Sequence, residues 1–330
     1  MPEITALKKR IFNINSPSDF NDIALEIFHF QYKNNTVYQQ FVDSLKIQIS
    51  KIIHLSQIPF LPVEFFKDHS IISGKFIPEI IFTSSGTTGV QTSKHYVKDI
   101  HLYEKSFLSS FHYFFGEVTD YVVIALLPSY LEREGSSLVY MANSLIQSSS
   151  NSESGFYLNE FEELYVLLNS LKEKEKKVVL LGVTYALLDL AEQFPINFPD
   201  LILMETGGMK GKRKELIRDE LHLKLKKAFG ISQVYSEYGM TELLSQAYSK
   251  GEGFFNCPPW MKILIRDIND PLTILPVGKA GGINVIDLAN LYSCSFIATQ
   301  DLGKNYQNSS FEILGRFDNS DVRGCNLMIG

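Results

Sequence analysis

A loop rich in glycine and hydroxyl side chains, Thr83 to Gly89, is the first place where this sequence could do chemistry. It reads Thr-Ser-Ser-Gly-Thr-Thr-Gly and follows the β-branched run Ile80–Thr83, so we expect it to leave the end of a strand. Glycines let the backbone approach a ligand closely, and hydroxyls with free amide groups suit phosphate oxygens. It is not a Walker A loop, because no Gly-Lys-Ser/Thr ends it. A phosphate-binding loop and a polar turn are both open at this point.

Three further motifs are each expected at the end of a strand. Tyr238–Glu242 (Tyr-Gly-Met-Thr-Glu) offers a hydroxyl and a carboxylate that suit phosphate and Mg²⁺. Asp301 ends the predicted strand Ser295–Gln300, where a carboxylate can accept hydrogen bonds from both hydroxyls of a ribose. Gly315–Asp318 (Gly-Arg-Phe-Asp) follows another predicted strand. Taken singly, each motif also fits an exposed loop or a solvated charge.

Together, and in this order, the motifs resemble the adenylate-forming superfamily of acyl-CoA synthetases, peptide-synthetase adenylation domains and firefly-type luciferases. The resemblance covers residues 80–330. It implies an α/β fold and an enzyme that joins a fatty or other carboxylic acid to ATP, with Mg²⁺, as an acyl adenylate. A protein, a carrier protein or coenzyme A would then accept the acyl group.

The resemblance also implies roles for individual residues. Thr241 and Glu242 would act on phosphate and Mg²⁺, with Glu242 as the metal ligand, and Gly207–Gly208 would lie beside the adenine. The residues expected to bind ATP are Ser84, Ser85, Gly86, Thr87, Thr88, Gly89, Lys94, Gly207, Gly208, Tyr238, Gly239, Thr241, Asp301 and Arg316. The loop continues as Val90–His95 and lacks the proline-lysine that usually follows it in the family, so Lys94 occupies a different sequence context. His95 fits either a ligand contact or a structural histidine.

A narrower resemblance is to the LuxE-type acyl-protein synthetases of the bacterial luminescence fatty-acid reductase complex. Its motifs are Val63–Lys67 after a proline connector, Thr206–Gly208, Pro258–Trp260 and the tail Arg323–Leu327. In that family the tail cysteine carries the acyl group as a thioester, so the resemblance implies this catalytic role for Cys325. The alternative is a small packing residue, which is what we expect of the other two cysteines, Cys257 and Cys294.

Two other functions remain open beside the acyl-protein synthetase. One is a ligase that passes the acyl group directly to coenzyme A or to a carrier-protein phosphopantetheine, and the other is a non-catalytic nucleotide-binding partner subunit. Superfamily members usually continue beyond the Gly-Arg-Phe-Asp hinge into a mobile lid that supplies a catalytic lysine. The sequence stops at Gly330, so we expect no lid, and Lys94, Lys210 and Arg316 become the candidates for stabilising charge on the anhydride.

The elements that must position these motifs follow from hydrophobic spacing. From residue 80, short β-branched runs alternate with helical segments, which is typical of βαβ units. The predicted strands are Ile80–Thr83, Tyr121–Leu127, Val178–Val183, Leu201–Glu205 and Gln233–Ser236, and the predicted helices are Phe161–Lys176, Tyr185–Phe194 and Lys210–Phe229. After Trp260 the predicted strands are Lys262–Asp267, Ile283–Asp287, Ser295–Gln300 and Phe311–Leu314. We therefore expect residues 80–330 to form βαβ layers with a small β-rich subdomain.

Residues 1–79 are expected to form a helical segment packed on that body. Ser16–Asp19 is a capping cluster before a dense apolar helix, and Val37, Phe41, Leu45 and Ile49 recur at the spacing of one helical face. The two prolines of Ile58–Pro62 favour an extended connector.

Composition excludes several classes of protein. The 330 residues are 45% hydrophobic and 21% charged, as in a globular protein, and the net charge of −6 argues against a nucleic-acid partner. Three cysteines without Cys-x-x-Cys spacing support neither a disulfide framework nor a zinc ribbon, so we expect a cytoplasmic protein. No apolar run approaches the ~18 residues of a membrane-spanning helix.

Overall fold

The computed structural model describes residues 2–84, 91–128, 135–207 and 216–317. The chain divides into two compact units, which are described separately below. The first comprises Met1–Ser106, Thr241–Ser245 and Asn256–Gly330, and the second Phe107–Met240 and Gln246–Phe255. The candidate residues Ser85, Gly86, Thr87, Thr88, Gly89, Gly208, Lys210, Asp318, Arg323 and Cys325 lie outside the described residues.

Nine helices and fourteen strands are present among the described residues. The helices are α1 (Pro2–Ile11), α2 (Pro17–Asn34), α3 (Thr36–Ser44), α4 (Phe65–Asp68), α5 (Ile100–Phe115), α6 (Ser137–Ser149), α7 (Phe161–Glu173), α8 (Thr184–Gln193) and α9 (Arg218–Phe229). The strands are β1 (Leu61–Pro62), β2 (Ile80–Thr83), β3 (Lys94–Val97), β4 (Val122–Leu126), β5 (Gly155–Tyr157), β6 (Val178–Val183), β7 (Ile202–Thr206), β8 (Tyr235–Tyr238), β9 (Ala247–Ser249), β10 (Phe255–Asn256), β11 (Met261–Arg266), β12 (Ala280–Asp287), β13 (Phe296–Asn305) and β14 (Phe311–Arg316).

The second unit is built on a mainly parallel sheet. Strands β5, β4, β6, β7 and β8 are parallel neighbours in that order, and β9 runs antiparallel beside β8. Every residue of β4 and β6 is buried, which explains their nearly continuous apolar sequences. Gly182 allows close packing of α8 on β6, because a Cβ there would lie 2.6 Å from Leu187 Cδ2. The predicted alternation of strands and helices is confirmed.

The first unit contains the β-rich last third of the chain. Strands β11, β12, β13 and β14 are antiparallel neighbours, and the proline-containing β1 pairs in parallel with β13. Strands β2 and β3 form a separate hairpin. The α/β fold with a β-rich part after Trp260 is confirmed.

Several predicted β-strand ends are wrong, and two of them are displaced by three residues or more. Strand β12 begins at Ala280, and β13 continues to Asn305, so Asp301 lies within β13 rather than after it. Glycines and charged side chains are depleted in strands and weaken the sequence signal. The backbone pairing nevertheless continues through Gly281 and Gly303, where a Cβ would lie 2.2 Å and 2.6 Å from neighbouring carbonyl oxygens.

The helical N-terminus is present and belongs to the first unit. Ser16 caps α2 by accepting a hydrogen bond from the Asp19 N–H at 3.1 Å, as the capping cluster predicts. The buried Gln31 amide donates to the carbonyl groups of Asn290 and Leu291 at 3.1 and 3.0 Å, and so ties α2 to the turn after β12.

The apolar repeat from Val37 to Ile49 is not one helix. Helix α3 ends at Ser44, because Lys46 adopts a left-handed backbone with φ 55°, and Ile49 begins a separate 3-10 turn. In the part of the chain that the structure describes, no helix is long and apolar enough to cross a membrane.

Candidate functional site

The β2–β3 hairpin holds the two ends of the predicted phosphate loop together. The Ser84 N–H donates to the Ser93 carbonyl at 3.1 Å, and the Ser93 N–H donates to Ser84 Oγ at 2.9 Å. Thr83 on β2 is the register partner of Lys94 on β3, and Lys94 is exposed to solvent. The hairpin therefore fixes Ser84 and Lys94 on either side of residues 85–90, which lie outside the described part.

Glu242 lies against this hairpin within the first unit. Its side chain is buried, and its carboxylate accepts a hydrogen bond from the Ser93 side chain. Burial raises the pKa of Glu242, while the Ser93 hydrogen bond and the positive charges of Arg316 and Lys67 act in the opposite direction. Carboxylate oxygens are the ligands that hard divalent cations prefer, and Arg316 and Lys67 supply positive charge that suits phosphate beside this carboxylate. Lys67, on α4, belongs to the Val63–Lys67 motif, but the sequence analysis gave it no role in the site.

His95 is a structural tether rather than a free ligand-binding group. Its Nδ1 is 2.8 Å from the Thr241 carbonyl oxygen and its Nε2 is 2.9 Å from Asn290 Oδ1. Burial lowers the pKa of His95 to about 4, although both hydrogen bonds favour the protonated ring. Asn290 Nδ2 in turn donates to the Glu242 carbonyl at 2.7 Å. The imidazole therefore links β3 to the backbone of Thr241 and Glu242.

Asp287 fixes the chain just beyond Glu242. Its buried carboxylate accepts hydrogen bonds from the Leu244 N–H at 2.7 Å, the Ser245 N–H at 3.0 Å and the Ser245 hydroxyl at 2.6 Å. Sequence reasoning missed Asp287 and Asn290. They are the two polar residues in the otherwise apolar segment Ile286–Tyr292, and this pattern could have identified them as buried hydrogen-bonding residues.

Asp301 and Arg316, the two residues expected to bind the ribose, form an ion pair in the first unit. They are register partners on β13 and β14, and Arg316 Nε donates to Asp301 Oδ1 at 2.9 Å. The Asp301 side chain is 7% exposed while that of Arg316 is 73% exposed. The arrangement presents a buried carboxylate with a solvent-accessible guanidinium beside it, which suits a sugar diol next to a phosphate.

Arg266 stabilises the strands that carry this pair, and the sequence analysis did not select it. Its buried guanidinium donates to the Thr299 and Ile283 carbonyl oxygens, both at 2.6 Å, and lies 5.5 Å from the Phe317 ring centre. Gly282 makes room for it, because a Cβ there would lie 2.5 Å from Arg266 Cζ. Arg266 thus holds β13 two residues before Asp301 and contacts the residue after Arg316.

The second unit carries the other candidate residues. Gly207 directly follows β7 with a left-handed φ of 65°, and its carbonyl accepts a hydrogen bond from Thr184 Oγ1 at 2.7 Å. Tyr238 is 8% exposed, and its ring packs 6.1 Å from that of Phe255. Gly239 follows directly, and a Cβ there would lie 2.4 Å from Glu237 Oε1. Gly207 and Gly239 therefore follow the carboxyl ends of two neighbouring parallel strands, where ligands of α/β sheets bind.

Two carboxylates, Glu205 and Glu237, lie beneath these glycine turns. Glu205 accepts a hydrogen bond from Thr184 Oγ1 at 3.2 Å, and Glu237 accepts one from Thr206 Oγ1. Burial, with the charge of Glu205 as a smaller contribution, raises the pKa of Glu237 to about 7.

The raised pKa of Glu237 predicts a pH-dependent stability. A carboxyl group whose folded pKa is raised contributes stability that is fully present below its unfolded pKa and is lost as pH rises through the folded value of about 7. We expect Glu237→Gln to increase the free energy of unfolding by about 2 kcal/mol more at about pH 8 than at about pH 5. Denaturant unfolding of both proteins at the two pH values measures this, and an equal effect at both would contradict the raised pKa.

The two described cysteines fit a packing role. Cys294 is fully buried, and burial raises its pKa to about 12. Burial also raises the pKa of Cys257. Neither thiol is therefore activated as a nucleophile. Among the residues that the structure describes, no group of three or more His, Cys, Asp or Glu side chains is placed to hold a metal ion.

Comparison with known proteins gives one family and one fold. The family described as acyl-protein synthetase, LuxE, matches residues 131–330, which is more than half of the chain. No curated protein is similar enough in sequence to count as a match.

Two solved structures share the fold at low sequence identity. ATP-bound MatB from Rhodopseudomonas palustris is 18% identical with a TM-score of 0.57, and the match covers 73% of this chain but only 49% of MatB. An open conformation of 2-hydroxyisobutyryl-CoA ligase, with 2-HIB-AMP and CoA, is 12% identical with a TM-score of 0.67, covering 93% of this chain and 72% of that one. This chain therefore spans about half the length of the MatB structure.

Proposed function

The chain belongs to the LuxE family of acyl-protein synthetases, and from this we propose that it activates a carboxylic acid with ATP and transfers the acyl group to a cysteine. The observation that carries the proposal is Glu242, a desolvated carboxylate bound to Ser93 at the base of the glycine-threonine loop. Acid-dependent exchange of pyrophosphate into ATP tests it.

In the first half-reaction, an oxygen of the substrate carboxylate attacks the α-phosphorus of ATP. The bond from that phosphorus to the bridging oxygen breaks, and pyrophosphate leaves with the electron pair. The chain contributes positioning and neutralisation of charge. The Asp301–Arg316 pair would orient the ribose, and Thr241 with the loop Ser84–Gly89 would hold the phosphates.

Glu242 would hold a Mg²⁺ ion that accompanies ATP. Mg²⁺ in such sites takes one or two carboxylates and completes its shell with phosphate oxygens and water. When bound, the ion withdraws charge from the phosphates. The residues around Glu242 have separate tasks: Ser93 orients its carboxylate, and His95 with Asn290 fixes its backbone.

In the second half-reaction, we propose that the Cys325 thiolate attacks the carbonyl carbon of the acyl adenylate. A C–S bond forms, the C–O bond to AMP breaks, and AMP leaves with the electron pair. The thiolate is the nucleophile, and a free cysteine with a pKa of ~8.5 is only partly ionised at neutral pH. The positive charge of Arg323, two residues away in the sequence, would favour the thiolate over the protonated thiol. A free thiol also requires a reducing compartment, in keeping with a cytoplasmic location. The acyl group would pass from Cys325 to a protein or carrier acceptor.

Replacing Asp301 by alanine should weaken ATP binding by about 1–3 kcal/mol, because hydrogen bonds from the ribose hydroxyls to a charged group would be lost. Calorimetric titration with ATP, alongside a thermal melt, measures the effect on the folded protein. Asp267→Ala is a matched control, since Asp267 caps an exposed turn through the Asn269 N–H at 2.7 Å. A lower melting temperature with unchanged ATP affinity in Asp301→Ala would assign Asp301 a purely structural role.

A further inference from the structure

The short helix α4 and the strand before it lie against the candidate nucleotide site of the first unit. The Val63 N–H, directly after β1, donates a hydrogen bond to the Ala298 carbonyl on β13 at 2.9 Å. Glu64, at the start of α4, accepts a hydrogen bond through its Oε1 from Gln300 Nε2 at 2.5 Å. Gln300 directly precedes Asp301 in β13, so the start of α4 is fixed beside the pair that is expected to bind the ribose.

The end of α4 lies against the phosphate loop instead. The Lys67 carbonyl accepts a hydrogen bond from Gln91 Nε2 at 2.7 Å, and Gln91 is the first described residue after the loop. The Phe66 ring packs edge-on against the His95 ring of β3, with the ring centres 6.0 Å apart. Because His95 is also hydrogen-bonded to the Thr241 carbonyl, this end of α4 is tied both to the hairpin and to the backbone of Thr241.

The side chain of Lys67 adds a positive charge at this place. The residue is half-buried, and its ammonium group has neither a hydrogen bond nor an ion pair with any residue that the structure describes. Its charge nevertheless reaches Glu242: burial raises the pKa of that carboxyl group, and the positive charges of Arg316 and Lys67 oppose this rise. Partial burial removes hydration from an ammonium group, so an anion bound beside Lys67 would stabilise it.

The direction of α4 indicates which phosphates Lys67 would meet. The helix begins beside the residues that are expected to bind the ribose and ends beside the phosphate loop. In ATP the ribose and the terminal phosphate lie at opposite ends of the triphosphate chain. Lys67 lies at the loop end, and its charge acts on Glu242, so it is placed for the β- and γ-phosphates rather than for the ribose.

Adenylate formation requires positive charge at those phosphates. Negative charge grows on the departing pyrophosphate as the bond from the α-phosphorus to the bridging oxygen breaks, and a cation already in place lowers that barrier. We propose that the Lys67 ammonium binds the β- and γ-phosphates of ATP and stabilises the charge that develops on the departing pyrophosphate. This inference rests on the proposed function and assigns a catalytic role to a residue that was not among the cations selected from the sequence.

Calorimetric titration with ATP and with AMP, both in EDTA, measures this contact without a metal ion or turnover. Lys67→Met keeps an unbranched side chain of similar length but removes the charge. We expect its ATP affinity to fall about tenfold or more, because charge-assisted hydrogen bonds are lost, and its AMP affinity to stay unchanged, because AMP lacks the β- and γ-phosphates. Lys67→Arg keeps the positive charge and should recover most of the lost ATP affinity. ATP–pyrophosphate exchange at saturating ATP should fall at least about tenfold in Lys67→Met.

Lys98→Met is the matched control. Lys98 is also half-buried, directly follows the other end of β3, and places its ammonium nitrogen 4.2 Å from the centre of the Tyr292 ring. We expect its ATP affinity and its exchange rate to match those of the wild type. Thermal melts of the three variants confirm that folded proteins are compared.

The outcomes separate this inference from the proposed function. If the wild type supports exchange, an unchanged ATP affinity in Lys67→Met, or an equal loss of affinity for ATP and AMP, would overturn the inference and leave the proposed function intact. The same loss of ATP affinity in Lys98→Met would also overturn it, since the effect would then not be specific to Lys67. A wild type that supports exchange with no acid would overturn the proposed function and the inference together.

Discussion

Glu242→Gln should reduce ATP–pyrophosphate exchange by roughly 10²-fold or more, because stabilisation of phosphate charge through a bound metal is worth several kcal/mol. Glutamine keeps the length of the side chain and an oxygen that can accept the Ser93 hydrogen bond, but it lacks the negative charge. Folding should change little, since burial already disfavours the charged form of Glu242. Exchange rates at saturating ATP, together with thermal melts, separate catalysis from stability.

Glu79→Gln provides the control for that substitution. Glu79 is exposed next to the same hairpin and accepts a hydrogen bond from the Ile100 N–H at 2.8 Å. Glutamine can accept the same hydrogen bond, and the charge that Glu79→Gln removes lies outside the site. We expect its exchange rate to match the wild type. Equal rates for Glu242→Gln and Glu79→Gln would show that Glu242 is a structural residue and would remove the proposed metal ligand.

Cys325→Ala should abolish covalent acylation of the protein while leaving pyrophosphate exchange intact. The reason is the order of the steps: the adenylate forms before the thiol reacts. Incubation of the wild type with MgATP and a labelled acid should give a hydroxylamine-sensitive protein thioester, which the variant lacks. Intact mass measurement identifies the acyl group.

Cys257→Ala is the matched control, because burial raises the pKa of Cys257 and disfavours its thiolate. This variant should label as strongly as the wild type. Undiminished labelling of Cys325→Ala would contradict the thioester role. Undiminished transfer from Cys325→Ala to coenzyme A would favour the direct-transfer ligase.

Most of the fold could be predicted because its signals are local. Buried parallel strands such as Val178–Val183 are continuous apolar runs, and the capped start of α2 is a short sequence pattern. The missed strand ends have a physical cause: Gly281, Gly303 and Asp301 weaken the strand signal, and the neighbouring strands supply the pairing instead. The end of α3 depends on one left-handed residue, Lys46, that spacing does not reveal.

The site could be predicted only in part, because each motif is a short sequence pattern, whereas the residues that hold the motifs in place lie far away in the sequence. The sequence pointed to Asp301 and Arg316, which lie 15 residues apart and form an ion pair in the structure. His95 was ambiguous because its partners, Thr241 and Asn290, are 146 and 195 residues away. Arg266 gave no signal of its own, since an arginine at the end of a strand is usually solvated.

Acid-dependent ATP–pyrophosphate exchange by the wild-type protein tests the central claim most directly. The purified chain is incubated with MgATP, labelled pyrophosphate and a panel of fatty, aromatic, hydroxy and amino acids, and label in ATP is measured with and without each acid. We predict label in ATP that depends on at least one acid and falls about 10²-fold or more in Glu242→Gln. No incorporation above the acid-free rate across the whole panel would contradict adenylate formation and would favour a non-catalytic nucleotide-binding subunit.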